Sequence, residues 1–340
     1  MRAVRYESPR NFAVTEVTTP AAGPGEVRIA VDQVGVCGTD LHIHHGGFNA
    51  VFPLIPGHEL VGRIDEVGPG VDRFTVGEQV TVNPNIHCGR CDYCRSGRLI
   101  LCNDAKGLGS NYPGFFAEFT TVPQELVFSV AGLDRDTAVF AEPAACAMHG
   151  METLAVRAGS SALVLGAGPT GLLLAQLLRS GGAASVTVAA PTEFKLATAR
   201  DLGIDQTILI DRNDMPGNLA ALLRASGADG YDYVIEATGS PAVGQICVPL
   251  TRRGGTVLIY GVTENDAQVS FNPFDVFRRE ITIKGSFAEM TSFGAAIHAL
   301  RSGRVRTDGI ITHRYGLDDY GSAIDALASD KTAHKVVIGV

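Results

Sequence analysis

Positive charge is scarce in this sequence. Its 28 Lys and Arg are outnumbered by 36 Asp and Glu, for a formal net charge of −8, and no basic run occurs along it. Such a chain has no field with which to gather phosphate backbones or anionic lipid, which argues against nucleic acid and membrane partners. An apolar leader is also lacking: the opening MRAVRYESPR has no hydrophobic core of the kind read by export machinery, so a cytoplasmic protein is expected. Long apolar runs are nearly absent. The one candidate, Ala162 to Leu178, is uncharged but interrupted by Gly166, Gly168, Pro169 and Gly171, and so reads as strand, turn and helix rather than a membrane span. Charged residues make up 19% against 45% hydrophobic, which excludes a disordered chain.

What is present points to two domains, because 340 residues exceed the ~250–300 at which a single core stops growing. The first ~150 residues are β-rich, with EVRIAVDQVGV, LVGRIDEVG, EQVTV and AEFTTV clustering β-branched residues between turn signals. From Ser161 the rhythm becomes strand, Gly-rich turn, helix: ALVLGAG and LLLAQLLRSG, SVTVAA and EFKLATARDLG, QTILI and GNLAALLRASG, YDYVIEATG and QICVPLTRRGG, then TVLIYGV. That alternation predicts a parallel sheet with right-handed crossovers. The tail, FGAAIHALRSG, YGSAIDALASD and KVVIGV, is expected to rejoin the first domain. The expected division is therefore 1–148 with 286–340, and 149–285.

Seven cysteines are an odd number, and four crowd into CGRCDYCRSGRLILC as Cys88, Cys91, Cys94 and Cys102. Two-residue gaps let thiolates converge on one ion, and four sulfurs complete a tetrahedral zinc shell. An iron–sulfur cluster is the rival occupant, and four unlinked thiols the plain alternative. With no open position, such a zinc would hold a loop in shape without chemistry of its own. Cys37, His58, Glu59 and Glu142 are further metal-competent residues, scattered through the β-rich part; taken singly, each reads more readily as a core or turn residue.

Gly166, Gly168 and Gly171 lie in GAGPTG, with Pro169 and Thr170 between the last two, directly after the strand ALVL and at the head of a helix. This is the placement a dinucleotide pyrophosphate requires: a tight turn, a close backbone approach and free N–H groups at a helix start. An acid usually stands ~20 residues on, at the end of the second strand, to hold the adenosine ribose of NAD. Ala190 stands there instead. That leaves room for a 2′-phosphate, so NADP(H) is favoured over NAD(H), with Thr192, Lys195 and Arg200 as candidate contacts and Glu193 as the residue that could still serve NAD.

Taken in order, CGTDLH, PGHE, the four-cysteine lobe, EP and GAGPTG resemble the zinc-containing medium-chain dehydrogenases/reductases, and within them the polyol, sorbitol-like branch, over essentially the full length. The resemblance implies an α/β protein: a β-rich GroES-like catalytic domain plus a Rossmann dinucleotide-binding domain with a parallel sheet. It implies a catalytic zinc on Cys37 and His58 with a carboxylate from Glu59 or Glu142, beside the structural zinc, and an open metal position for substrate. Thr39 and His42 match the family's proton relay, in which Thr39 takes the alcohol proton and passes it through the nicotinamide ribose to His42. Thr238, Val262 and Phe287 fall where the family approaches its cofactor. His44, His45, Phe48, Phe52 and Phe115 are candidates for the substrate pocket, though each reads equally as packing.

The expected partner is a small-molecule alcohol, with sugar alcohols and diols leading because of Glu142, and a homo-oligomer, dimer or tetramer, pairing its cofactor domains edge to edge. Two other readings compete. A non-catalytic zinc and dinucleotide sensor would leave Cys37, Thr39, His42, His58 and Glu142 unexplained together, and a zinc-free reductase conflicts with the same ligands.

Overall fold

In the computed structural model, which describes residues 1–340, the long strand β3 (Glu26–Val36) explains how an irregular β domain builds a dry site. Its first half alternates, burying Val27, Ile29 and Val31 on one face, as a half-exposed strand should. From Gln33 to Val36 every residue is buried, so the end of the strand runs into the interior with both faces covered. Six more strands assemble with it into one sheet. The order is β16 (Ile311–Gly316), β17 (Lys335–Gly339), β3, β4 (Glu59–Val67), β5 (Gln79–Val82) and β9 (Val127–Ser129), with β8 (Phe119–Pro123) also pairing β3. Two small antiparallel pairs, β1 (Arg2–Ser8) with β2 (Asn11–Glu16) and β6 (Asn85–Ile86) with β7 (Lys106–Gly107), belong to the same part of the chain, as do helices α1 (Gly38–His44), α2 (Asp92–Arg95), α3 (Arg135–Ala138) and α4 (Ala141–Leu154).

Strand register sets which residues meet at the site. In the antiparallel ladders Gly35 sits opposite Glu59 on one side of β3, and Val36 opposite Val336 on the other. Residues from three distant stretches of chain therefore meet at one sheet end. The core beneath is a single apolar cluster including Ile29, Leu60, Val80, Phe116, Tyr320 and Ile338.

The second sheet is parallel, in the order β12 (Gln206–Leu209), β11 (Ser185–Ala190), β10 (Ser161–Leu165), β13 (Tyr231–Glu236), β14 (Thr251–Ile259) and β15 (Thr282–Gly285). This is the doubly wound order with its switch point between β10 and β13. Its inner strands read as near-continuous apolar runs because helices cover both faces. Of these helices, α5 (Pro169–Ser180), α6 (Glu193–Asp201), α7 (Met215–Ala225) and α8 (Pro241–Leu250) come after successive strands, and α9 (Pro273–Arg279) precedes β15. Helix α8 stops at Leu250, so the TRRGG that looks helical by position instead opens β14, with a register shift before Thr256.

The chain divides into two compact units, Met1–Ala145 with Glu289–Ser302 and Ile311–Val340, and Cys146–Ala288 with Gly303–Ile310. The C-terminal stretch is thus split, with 303–310 grouped with the parallel-sheet unit. The first boundary falls inside a helix, Ala141–Leu154, whose first turn carries Glu142. No helix is long and apolar enough to cross a membrane.

Candidate metal centres and dinucleotide site

Zinc with Zn–S bonds of ~2.3 Å in a tetrahedron needs sulfurs about 3.8 Å apart. The cysteine lobe meets this. Cys88 Sγ lies 4.0 Å from Cys94 Sγ, and Cys91 Sγ lies 3.5 Å from Cys94 Sγ and 4.0 Å from Cys102 Sγ. Backbone N–H groups already aim at the sulfurs: Cys91 donates to Cys88 Sγ at 3.4 Å, and Cys88 and Asp104 donate to Cys102 Sγ at 3.3 and 3.4 Å. Donors from Cys94 and Asn103 pull the Cys91 thiol down to about 6, while burial and the adjoining thiols push Cys94 up to about 12. Four sulfurs this close cannot all shed their protons until a cation joins them, so the donor set fits a metal.

A second cluster forms at the end of β3. Cys37 caps a short helix, Gly38–His44, by a reciprocal arrangement: its backbone N–H donates to Asp40 Oδ2 at 2.9 Å, and the Asp40 N–H donates to the Cys37 carbonyl at 3.0 Å. That cap turns the chain so that Cys37 meets His58 and Glu59, at the start of β4. The ligand atoms of Cys37, His58 and Glu59 lie within 4.8 Å of one another. Asp40, fully buried, sets its Oδ1 3.7 Å from His58 Nδ1, where it can orient the imidazole. Burial alone would lower the His58 imidazole, but Asp40 and Cys37 outweigh it and hold it well above the ordinary range.

Lys335, the first residue of β17, completes the cluster. Its Nζ lies 2.6 Å from Glu59 Oε1 and 2.5 Å from Oε2, with only 2% of the residue exposed and none of Glu59. Burial pulls the ammonium down, yet the charges of Glu59 and Cys37 prevail and hold it above the usual lysine range. Glu142 is buried, and its charge bears on both His58 and Lys335, although it stands outside the tight three-residue group. Buried acids and a cysteine converging on one spot, with Asp40 Oδ1 accepting no hydrogen bond, fit a bound cation.

Thr39 and His42 lie beyond Cys37 on the short helix, three residues apart and hence on one face. The Thr39 hydroxyl is 3.9 Å from Cys37 Sγ. Several pocket candidates are committed elsewhere. His44 Nδ1 pairs with the Tyr6 hydroxyl at 2.8 Å, Phe52 packs 6.2 Å from the Tyr6 ring, and Phe115 is wholly buried.

In the parallel-sheet unit the glycines divide the labour as a pyrophosphate turn requires. Gly166 directly follows β10 at φ 123°, a conformation that side chains rarely adopt. A Cβ on Gly171 would stand 2.3 Å from the Gly166 carbonyl oxygen, so only glycine allows α5 to pack this close, whereas a Cβ on Gly168 would meet nothing within 4 Å. Gly168 is the helix N-cap, with Pro169 and Thr170 opening the first turn. The adjoining loop is tied down by Glu236, buried at the end of β13, which accepts the Thr238 hydroxyl and the N–H groups of Thr238 and Gly239 at 2.8 and 3.1 Å. Thr238 is therefore held in place by Glu236, while Val262 and Phe287 are 45% and 57% exposed.

At the end of β11, Ala190 is buried and Thr192 caps α6 without a side-chain bond. Arg200 does not point to a ligand: its guanidinium pairs with Glu193 and bonds Thr207. Burial and the nearby charge of Arg212 lower Lys195, which shows two cations close together in this region. Sequence reasoning missed Asp40, Glu236, Arg212 and Lys335. Only Asp40 carried a signal, lying within CGTDLH.

The alcohol dehydrogenase GroES-like domain matches residues 23–132, and the zinc-binding dehydrogenase family matches residues 169–302. D-arabinitol dehydrogenase 1 of Uromyces fabae is 41% identical over 97% of this chain and 94% of its own length. D-altritol 5-dehydrogenase of Agrobacterium fabrum is 33% identical over 99% and 98%. Among solved structures, a zinc-binding dehydrogenase of Sinorhizobium meliloti bound to NADP superposes with a TM-score of 0.93 at 33% identity, covering 100% of this chain and 99% of that one. The chain belongs to the zinc-containing medium-chain dehydrogenases/reductases, in their polyol branch. It is accordingly a zinc-dependent oxidoreductase acting on a small-molecule alcohol.

Replacing Cys94 by Ser is expected to halve the zinc content and lower the thermal midpoint by several degrees while leaving the far-ultraviolet spectrum folded. Metal analysis and a melting scan check this, and an unchanged midpoint would remove the structural role of the lobe.

Proposed function

We propose that this enzyme oxidises a secondary hydroxyl of a sugar alcohol or small diol, using a zinc held by Cys37, His58 and a carboxylate from Glu59 or Glu142. The observation that carries this reading is the convergence of Cys37, His58 and Glu59 in a buried, acid-rich corner, with Thr39 beside the thiol. Zinc, when bound, supplies Lewis acidity that eases loss of the alcohol proton, and the nicotinamide, when bound, accepts the hydride. Thr39 is the group placed to take that proton, and His42, one helical turn on, passes it toward water. Asp40 keeps the imidazole of His58 oriented. The acid-rich corner suits a substrate rich in hydroxyl donors, and the relatives named for D-arabinitol and D-altritol support a polyol. Cys37→Ser and His58→Ala should each abolish chelator-sensitive reduction of the nicotinamide across a panel of polyols, with the fold intact. Full turnover in either variant would sink the zinc assignment.

NADP(H) is the favoured cofactor. A carboxylate at position 190 would repel a 2′-phosphate; Ala190 does not, and Lys195 and Arg212 offer cations near the same strand end. Removing both charges, Lys195→Ala with Arg212→Ala, should raise the KM for NADP about tenfold or more while moving that for NAD little. Equal changes for the two cofactors would mean that the phosphate binds elsewhere or that NAD is the partner.

A homo-oligomer is supported by the exposed apolar surface along one sheet edge. β15 is the last strand of the parallel sheet, and beside it Phe274 and Phe277 of α9 are 59% and 77% exposed. An unpaired edge with such neighbours invites a second copy of the same edge. Phe277→Glu should lower the mass measured by light scattering from oligomer to a smaller species, and an unchanged mass would place the interface elsewhere.

A further inference from the structure

The turn that follows β12 carries Arg212, and its backbone is fixed from within the protein. β12 leaves the sheet beside position 190: the Ile210 N–H donates to the Ala190 carbonyl at 3.1 Å, so the turn begins against the end of β11, where a dinucleotide's adenosine ribose is expected. Asp211 to Asp214 then form a β-turn, closed by the Asp214 N–H donating to the Asp211 carbonyl at 3.2 Å, with Arg212 at its first corner. One side chain pins this turn from below. Asn218 of α7 is only 6% exposed; its Oδ1 accepts the Asp211 N–H at 2.9 Å, and its Nδ2 donates to the Asp211 carbonyl at 2.6 Å. A carboxamide can do both at once because it carries a donor and an acceptor side by side, as a peptide group does. The acids nearby are occupied: Asp211 Oδ1 accepts the Asn213 N–H and Asp214 Oδ1 the Gly217 N–H, each at 2.9 Å, while Glu193 pairs with Arg200. Arg212 is left exposed, with none of these acids as its partner, and its charge adds to burial in holding the half-buried Lys195 below the usual lysine range. Two cations brought together while the neighbouring acids are engaged elsewhere make a place for an anion.

We propose that Asn218 is a positioning residue for recognition of the cofactor's 2′-phosphate, acting by holding Arg212 at the corner of its turn beside Lys195. The inference rests on the reading that NADP(H) is the cofactor and that Lys195 and Arg212 meet its phosphate. Its physical basis is preorganisation. A long arginine on a loose loop gives up backbone as well as side-chain freedom when it meets a phosphate, and that loss opposes binding. With Asp211 fixed at both its N–H and its carbonyl, the backbone is ordered before the cofactor arrives. Asn218 itself lies buried beneath the turn and acts through the arginine alone. NAD has no 2′-phosphate for Arg212 to meet, so the pinned turn separates the two cofactors instead of strengthening both.

The test uses the zinc-loaded, full-length enzyme and compares the wild type with Asn218→Leu, Arg212→Ala and the double variant. Calorimetry measures binding of 2′,5′-ADP and of 5′-AMP, which differs from it only in lacking the 2′-phosphate, and needs no turnover; KM values for NADP and NAD are measured alongside. Asn218→Leu matches the asparagine in size and removes both hydrogen bonds. It should weaken 2′,5′-ADP about fivefold and raise the KM for NADP by a similar factor, with 5′-AMP, NAD and kcat little changed. In the Arg212→Ala background the same replacement should change nothing further, because the amide acts through the arginine. Equal weakening of 2′,5′-ADP and 5′-AMP, or losses that add in the double variant, would overturn the proposal and leave Asn218 a support of the helix alone. Arg212→Ala separates this failure from that of the underlying reading. If it leaves 2′,5′-ADP binding unchanged, the phosphate lies elsewhere and both fall; if it weakens that binding while Asn218→Leu does not, only the role of Asn218 is lost. Should Asn218→Leu not fold, Asn218→Ala, which adds no bulk beneath the turn, decides by the same comparison.

Discussion

Negative charge held out of water is the constraint around which the β-rich unit is organised. Asp40 and Glu59 are wholly buried, Glu142 nearly so, and Cys37 joins them. Isolated, any one of these anions would be strongly unfavourable in a medium of low dielectric. The unit tolerates Asp40, Cys37 and Glu59 because each answers to a neighbour: a backbone N–H for Asp40, an imidazole between Asp40 and Cys37, an ammonium for Glu59. The doubly buried end of β3 and the glycine at position 35 answer that requirement, since the carboxylate occupies the space a side chain would take.

The two candidate metal sites treat the same problem in different ways. The cysteine lobe is a loop drawn around its own sulfurs, with backbone N–H groups as the only other donors, and its opposed thiol ionisations leave one ion to complete it. A site of this kind is closed. The corner at Cys37 is assembled from three strands and a short helix, with carboxylates in excess of what one cation needs, and so has ligands to spare. Closure suits a fastening, and surplus suits exchange.

Much of this was legible in the residues. The convergence of Cys88, Cys91, Cys94 and Cys102 comes from two-residue gaps, and the turn at Gly166 from its place between an apolar strand and a helix. The parallel sheet comes from the alternation after Ser161. Other features left no local trace. Lys335 stands in front of the apolar run VVIGV, where a lysine reads as a solvated flank, and nothing nearby shows that it will cross a strand to meet a residue 276 positions away. Arg200 looked like a phosphate contact because it lies on the right helix, but a glutamate seven residues back claims it. Glu236 hides within YDYVIEATG, a strand whose other residues account for its pattern. The N-terminal hairpin and the helix bearing Glu142 were likewise not marked. In each case long-range pairing decided the outcome, and periodicity does not record it.

The separation of Glu59 from Lys335 also orders events during synthesis. Cys37, His58 and Glu59 leave the ribosome early, and the whole of the parallel-sheet unit, 146–288 with 303–310, which has its own core, is made before β17 arrives. Through that interval β3 lacks its neighbour on one side and Glu59 lacks its counterion. A metal ion captured in that window would meet the carboxylate unopposed, so the timing of metal loading relative to the arrival of β17 decides whether the corner first closes around an ion or around an ammonium.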